Sequence, residues 1–560
     1  MCSSDLIAFV LVVIFLWISF RTVSGILIPV IVVLISILWT LGIMGAMNKP
    51  IDIMTVMLPT MIFITGMSDV VHFFSKYFEE SGGKKNNREI IKLVFKEVGF
   101  PTFLTLLTTA AGFLSLLFSS IQPIRDFGIF TTIGISIAFL LTYTLLPAVL
   151  LFVKPDKLTR IHTSNNTTLA SMRSSLFWIF RNPKTILFLT LLIVGVFAYG
   201  TFKISVNSVL LEDLDNSIKE KQDFLFFDKY YSGVRPVELE LKTKSNLKIW
   251  DYKVMAEINR LDSFLKNKYG AGFLISPASI VRELNSSIYE SNPTSSFFPE
   301  PEDYPEIKKY LVGNKNSKAI KRLMTIDGNY ARITGKIQDL GSQIIHEKNE
   351  KLKHFISENI NSEILSVRLT GTGTLLDKNN DYMVNNMLQG FLFSILTIGL
   401  LTWILHRSFK MVLVFILPNL IPIVIISGIM GFFGIELKAA TSLVFSIAFG
   451  IATDDTIHFI SRFKIERDYG KSVLYAFKRT YFETGRPIIV TSFILIGGFM
   501  SLMISDFQSI FYFGLLICLT LIIAVAADMI LLPVLLLWML RSEEHTSELQ
   551  SLAYLVCRLL

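Results

Sequence analysis

The chain has 560 residues, a formal net charge of +8, 52% hydrophobic and only 18% charged residues. Its mean hydropathy of +0.54 exceeds a soluble globular profile and reads as an integral membrane protein. Basic residues dispersed among acids exclude a nucleic-acid-binding stripe, and three cysteines, with only Cys518 away from the chain ends, exclude a disulfide framework or a CxxC metal site.

A membrane-crossing helix needs about 20 apolar residues. Such stretches open the chain at about Ile7 to Phe20, Ile26 to Met47, Ile53 to Phe74, Thr102 to Ser119 and Phe127 to Val153, so 7–153 is a first block of five spanning helices. A linker over 154–184 follows, with a surface helix expected near Leu169 to Ile179, then a lone spanning helix over 185–202. From 203 to 386 the chain turns polar and reads as an α+β domain. Val237 to Leu241 alternates like a strand, Leu247 to Leu265 has helical period, Asn329 to Ile337 reads as a strand, Ser342 to Asn359 as a helix and Leu365 to Thr370 as a strand. This order suggests a βαβ-type arrangement, with the proline- and acid-containing interval Asn292 to Asn316 as a loop or subdomain joint. Five more spans occupy 387–540, near Gly390 to Leu405, Met411 to Phe433, Ala439 to Ile460, Pro487 to Ile504 and Tyr512 to Leu540, for a total of eleven.

The two blocks repeat each other. Asp69 and Asp455 are 386 positions apart (455 − 69), and the same offset carries His72 onto His458, Gly42 to Gly45 onto Gly428 to Gly431, Thr105 onto Thr491, Gly112 onto Gly498 and Pro147 onto Pro533 without a gap. A duplicated bundle is a transporter architecture, with sites near the midplane where the repeats meet.

Lys76, Lys84, Lys85, Arg88, Lys92 and Lys96, and in the second block Arg462, Lys464, Arg467, Lys471, Lys478, Arg479 and Arg486, mark loops expected on the cytoplasmic side. The polar domain is then extracytoplasmic. A lone helix and a polar domain precede the second block and not the first, so a leading helix and a first extracytoplasmic domain are expected to be missing. Residues 1–6 and 541–560 read as translated sequencing-adapter arms, which makes the chain a gene fragment.

Phe226-Phe227 to Arg235-Pro236, Leu369 to Gly373, Leu417 to Pro422 and Gly450 to His458, set in two five-helix blocks with an acid in the third helix of each, resemble the resistance-nodulation-division superfamily of exporters, in its MMPL-type and Patched-like branch. The resemblance implies a polytopic α-helical membrane protein, a duplicated transmembrane bundle with an α+β porter-like domain, located in the bacterial inner membrane. It implies a proton-motive-force-driven exporter of hydrophobic or lipid-like molecules, not an enzyme and without a cofactor, forming a homo-oligomer with a periplasmic adaptor as a further partner class. The alternatives are a nontransporting Patched-like lipid or sterol sensor and a protein-export auxiliary subunit. The multidrug branch sets two adjacent acids in its first half against a lysine in its second; here Asp454 and Asp455 are in the second, with no lysine in that span. The lipid-exporting mycobacterial branch has tyrosine after the acid, where this chain has Val70 and Thr456.

The residues point to chemistry without the name. A carboxylate inside an apolar span is expensive and marks a functional site by default, and imidazole titrates near neutrality. Asp69 with His72, and Asp455 with His458, share a helix face at three-residue spacing, a proton relay given twice; the competing reading is polar glue between helices. Asp454, opposite Ser68 in the repeat, is a second protonatable site or an interface residue, and Asp528, opposite Thr142, joins the relay. Ser68, Thr105, Thr453 and Thr491 are the supporting polar residues, with Thr105 and Thr491 expected to hydrogen-bond the carboxylates, and no metal ligands are assigned. The histidines lie toward the basic helix ends, where snorkelling is the alternative role. Gly42, Gly45, Gly428 and Gly431 read as close-packing positions. Nucleotide-driven transport is disfavoured: Gly470-Lys471-Ser472 lacks the earlier glycine of a phosphate loop, since position 465 is Ile, and Gly371-Thr-Gly373 lacks the third glycine of a dinucleotide fingerprint.

Overall fold

In lipid every backbone N–H and C=O must be satisfied within its own segment, and the apolar runs accordingly form long helices. The computed structural model describes residues 2–20, 22–52, 54–81, 86–152, 166–207, 209–211, 213–214, 216–288, 297–505 and 507–541. The first block is α1 (Cys2–Phe20), α2 (Val23–Ala46), α3 (Leu58–Ser81), α4 (Asn87–Val94), α5 (Phe100–Leu114) and α6 (Gln122–Phe152), with α4 continuing into α5 through a π-turn at Phe95–Gly99. Then come α7 (Asn166–Arg181) and α8 (Pro183–Thr201). The polar region holds α9 (Lys219–Tyr230), β1 (Arg235–Thr243), α10 (Tyr252–Phe264), β2 (Phe273–Ile275), α11 (Pro277–Ile288), α12 (Tyr304–Gly313), α13 (Lys318–Lys321), β3 (Tyr330–Ile337), α14 (Ser342–Asn359) and β4 (Leu365–Thr370). The second block is α15 (Gly371–His406), α16 (Phe409–Phe433), α17 (Ala439–Asp468), α18 (Val473–Met500), α19 (Gln508–Ala526) and α20 (Leu532–Arg541), the last two joined by a π-turn at Ala527–Leu531.

Among the described residues ten helices are long and apolar enough to cross a membrane, against the eleven expected; α1 adds a shorter apolar stretch, Phe9–Ile18. The stretches read as basic loops are largely helical. Arg88 and Lys92 lie on α4, Lys96 in the π-turn after it, and Lys478, Arg479 and Arg486 on α18, because Ile90, Val94, Ala476 and Phe477 give these segments a buried apolar face. The linker helix α7 is present where expected and lies on the bundle by one face: Met172, Leu176 and Ile179, at helical spacing, are buried while Arg173 and Trp178 are exposed, and it packs on α18 and α20. Arg21, Lys84 and Lys85, residues 154–165 of the linker and the adapter-like stretch 542–560 lie outside the described residues.

The chain divides into two compact units, Met1–Ser205 with Met383–Leu560, and Val206–Tyr382. In the second unit the four strands lie in the order β2-β3-β1-β4 with every neighbouring pair antiparallel. Strands β3 and β4 therefore run parallel on either side of β1, joined through α14, and β1 and β2 are related in the same way through α10. This is a split βαβ built twice, the ferredoxin-like arrangement. Leu239, Leu241, Ile258, Leu261, Ile333 and Leu352 form its core. Leu247 to Asp251 is a turn leading into α10, so the helix starts later than its periodicity suggests, and the interval 292–316 contains α12, which buries Tyr304, Ile307 and Leu311. Arg235, at the start of β1, is buried against Asp339, at 2.9 Å, and Asp377. Gly371 has φ +82°, and a Cβ there would meet the Glu238 side chain, so glycine is required.

In the membrane unit the two blocks interlock. Helix α5 of the first packs on α17 of the second, and α18 of the second packs on α3 of the first. Helices α3 and α17 are enclosed by the rest, whereas α8 is the most exposed. Helix α8 packs on α16, where Cβ atoms built on Gly428 and Gly431 would lie 2.3 Å from Phe197 O and 1.9 Å from Gly200 O. Among the described residues, Cβ atoms built on the counterparts Gly42 and Gly45 would have nothing within 4 Å, so the close-packing role is seen for the second-block pair. Backbone oxygens cannot retreat as a side chain can, so Gly431→Ala should destabilise the solubilised protein by about 1–3 kcal/mol. Gly42→Ala should be neutral or stabilising by up to about 1 kcal/mol; comparing their thermal unfolding checks both.

Candidate functional site

The acids sit on the two most enclosed helices. Ser68, Asp69 and His72 lie on α3, and Thr453, Asp454, Asp455 and His458 on α17. Every one of these side chains is buried except Asp69, which is half-buried.

The 386-residue offset becomes geometry here. Ser68 and Asp454 are register mates, and Ser68 Oγ donates to Asp454 Oδ2 at 2.9 Å. His72 and His458 are register mates too, and their rings stack with centroids 4.0 Å apart and planes at 15°. Residues related by a twofold operation can touch their own mates only close to the axis, so the pseudo-twofold axis of the bundle passes through these two pairs. Both histidines are more than nine-tenths buried, which removes the snorkelling role. Their closest acid is also different from the one spacing suggests: His458 Nε2 lies 3.5 Å from Asp454 Oδ1, one turn back on α17.

The other two acids of the second block, Asp455 and Asp528, are held by hydroxyls of that block. Ser492 on α18 donates to Asp455 Oδ2 at 3.0 Å, and Thr456 on α17 donates to Asp528 Oδ1 at 2.6 Å while accepting from Asn419 Nδ2 at 3.0 Å. Asp528 lies in the π-turn between α19 and α20, a distortion frequent at functional sites. The threonines do something else. Thr105 donates to the Thr102 carbonyl, Thr491 to those of Pro487 and Ile488, and Thr453 to that of Gly450. A hydroxyl one turn from a helix carbonyl finds that partner first, so the carboxylate contacts expected of Thr105 and Thr491 are not made, although Thr105 shares a small cavity with Ser68, Asp69 and Asp454.

Between the paired histidines and the basic helix ends lies a cleft of about 540 Å³, whose walls include His72, Lys76, Glu97, His458 and Arg462. Its charges form a ladder that the sequence reading treated only as basic loops. Lys76 bridges Glu97 at 2.9 Å, Glu79 at 3.1 Å and Glu80 at 3.3 Å. Arg462 bridges Glu466 at 2.8 Å, Glu483, and, across the repeat boundary, Glu97 at 2.7 Å. The signal was present: Lys76, Glu80 and Glu97 fall on Arg462, Glu466 and Glu483 at the same offset as the acids. Ser492, Asn419 and Thr456 had no such signal, since their mates are the apolar Leu106, Val33 and Val70.

Among known proteins, a family model described as the MMPL family matches residues 2–185 and 281–549. A protein of Methanocaldococcus jannaschii whose name describes it only as a membrane protein is 30% identical over 139 residues, which is 25% of this chain and 36% of that relative. The matched part thus spans about a third of the relative's length.

Removing one cation from a buried ion-pair cluster leaves the others with fewer charged hydrogen bonds. Arg462→Ala leaves Glu466, only 2% exposed in its side chain, with Arg479 at 3.3 Å as its cation, and should lower stability by about 1.5–3 kcal/mol. Lys353→Ala, which breaks a pair exposed on both sides, should change it by less than about 1 kcal/mol. Thermal unfolding followed by gel filtration in detergent separates the two.

Proposed function

The chain belongs to the MMPL family, a family of RND-type transporters, and from that premise we propose that it is a proton-motive-force-driven exporter of hydrophobic or lipid-like molecules from the bacterial inner membrane. The basic helix ends are then cytoplasmic, and the unit Val206–Tyr382 is extracytoplasmic.

The observation that carries the reading is the group of four carboxylates, Asp69, Asp454, Asp455 and Asp528, inside the apolar bundle on helices of both repeats. Among the described residues none of the four is paired with lysine or arginine: Asp454 has Ser68 and His458 as partners, Asp455 has Ser492 and Asp528 has Thr456. Carboxyl groups that no fixed cation neutralises can take up and release protons, and each change of charge alters which packing of the two repeats is favoured. The cleft between the histidines and the basic helix ends supplies the route from the basic side. Proton passage through the seam is thereby coupled to rocking of one repeat against the other.

The test is transport by the protein reconstituted in vesicles, with an imposed pH gradient, a pH-sensitive dye for proton flux and a short-chain fluorescent phospholipid as the transported probe. Asp69→Asn and Asp455→Asn, at matched folding and incorporation, should each reduce gradient-driven probe movement and proton flux to the level of protein-free vesicles. Undiminished transport in both variants would return the acids to a structural role.

A further inference from the structure

Three buried polar atoms converge at the twofold axis without satisfying one another. Among the described residues Nε2 of His72, Nε2 of His458 and Oδ1 of Asp454 find no hydrogen-bond partner, yet one ligand atom from each of the three residues lies within 4.8 Å of the others. Each residue is more than nine-tenths buried. A buried polar atom left without a hydrogen bond is destabilising, by about 1–3 kcal/mol, and a ligand seated among the three would relieve that cost.

We propose that His72, Asp454 and His458 form a binding site for a divalent transition-metal ion, with zinc the best match to the donors. Two imidazoles and one carboxylate are a zinc ligand set that leaves a fourth position for water. Sodium, magnesium and calcium prefer all-oxygen surroundings, and two of the three donors here are nitrogen. The outer shell is already in place: Ser68 Oγ holds the other carboxylate oxygen of Asp454 at 2.9 Å, which turns Oδ1 toward the histidines, the kind of support that orients metal-bound carboxylates. There is also an entry path, because both histidines line the cleft that leads to the charged ladder.

The site joins the repeats, since His72 comes from α3 and the other two ligands from α17. A bound ion would link the two repeats through ligand bonds. The inference goes beyond the transport reading and does not rest on it, because it is tested by metal binding and not by flux.

The protein, purified without a polyhistidine tag and stripped with a chelator, is titrated with Zn²⁺, and bound metal is counted after gel filtration. The reference carries His354→Ala, which removes the exposed His354–Glu358 pair. One ion per chain is expected in the reference and none above background when His72→Ala or His458→Ala is added. Ser68→Ala should keep the site but weaken it roughly 10- to 100-fold, the usual loss for an outer-shell partner. Co²⁺ should give tetrahedral visible absorption in the reference and lose it in the histidine variants. If either alanine variant fails to fold, Asp454→Asn, which preserves shape, supplies the same comparison. Absence of stoichiometric zinc in the reference, or equal zinc in the reference and in the folded ligand variants, overturns the proposal.

Discussion

Ionisable side chains cannot be left facing hydrocarbon, and that constraint organises the membrane unit. Helices α3 and α17 carry the acids and the histidines, and the other helices wrap them. The outer helices can afford their apolar exposure because lipid is their solvent: Leu38, Trp39 and Leu396 each leave more than half of their surface uncovered. Enclosure is obtained by interlocking the repeats, α5 onto α17 and α18 onto α3. At the first of these contacts Gly112 meets Gly450, where a Cβ built on Gly112 would lie 2.9 Å from Ser446 O. Close helix approach at such small residues is how membrane helices gain packing without a hydrophobic driving force between them.

The repeats are alike in backbone and unlike in polarity. Mates meet at the axis as serine with aspartate and histidine with histidine, while the hydroxyl and amide partners of Asp455 and Asp528 belong to the second block alone. A symmetric frame thus carries an asymmetric polar lining. The charged ladder below the histidines is closer to symmetric, yet Arg462 reaches the Glu97 of the other repeat, and no matching bridge from Lys76 to Glu483 is present among the described ion pairs. Lys76 and Arg462 each bridge three carboxylates, and it is the forked guanidinium of Arg462 that spans the boundary.

Much of the architecture was legible because membrane spans and strand alternation are local patterns. Leu365 to Thr370 and Ser342 to Asn359 were read to the residue, and three of the four strands and both crossover helices of the polar unit's sheet were visible. The short strand Phe273–Ile275 was not, since three residues carry no periodicity. Helix α12 was hidden by the prolines around it, although Pro305 stands in its first turn, where the missing N–H is harmless. The basic stretches misled in another way: positive charge marks sidedness and says little about whether a segment is helical.

The amino-acid sequence by itself determined the membrane class, the duplication and the acids that lie on it, because hydropathy, the constant 386-residue offset and a charge within an apolar run are all properties of order along the chain. Only the tertiary structure decided which groups meet. It placed the twofold axis through Ser68 with Asp454 and through His72 with His458, gave His458 to Asp454 instead of Asp455, turned Thr105 and Thr491 back to their own helices, and brought Arg462 to Glu97. Those outcomes depend on the rotation of each helix about its own axis. That angle is set by packing against neighbours hundreds of residues away, which no local pattern records.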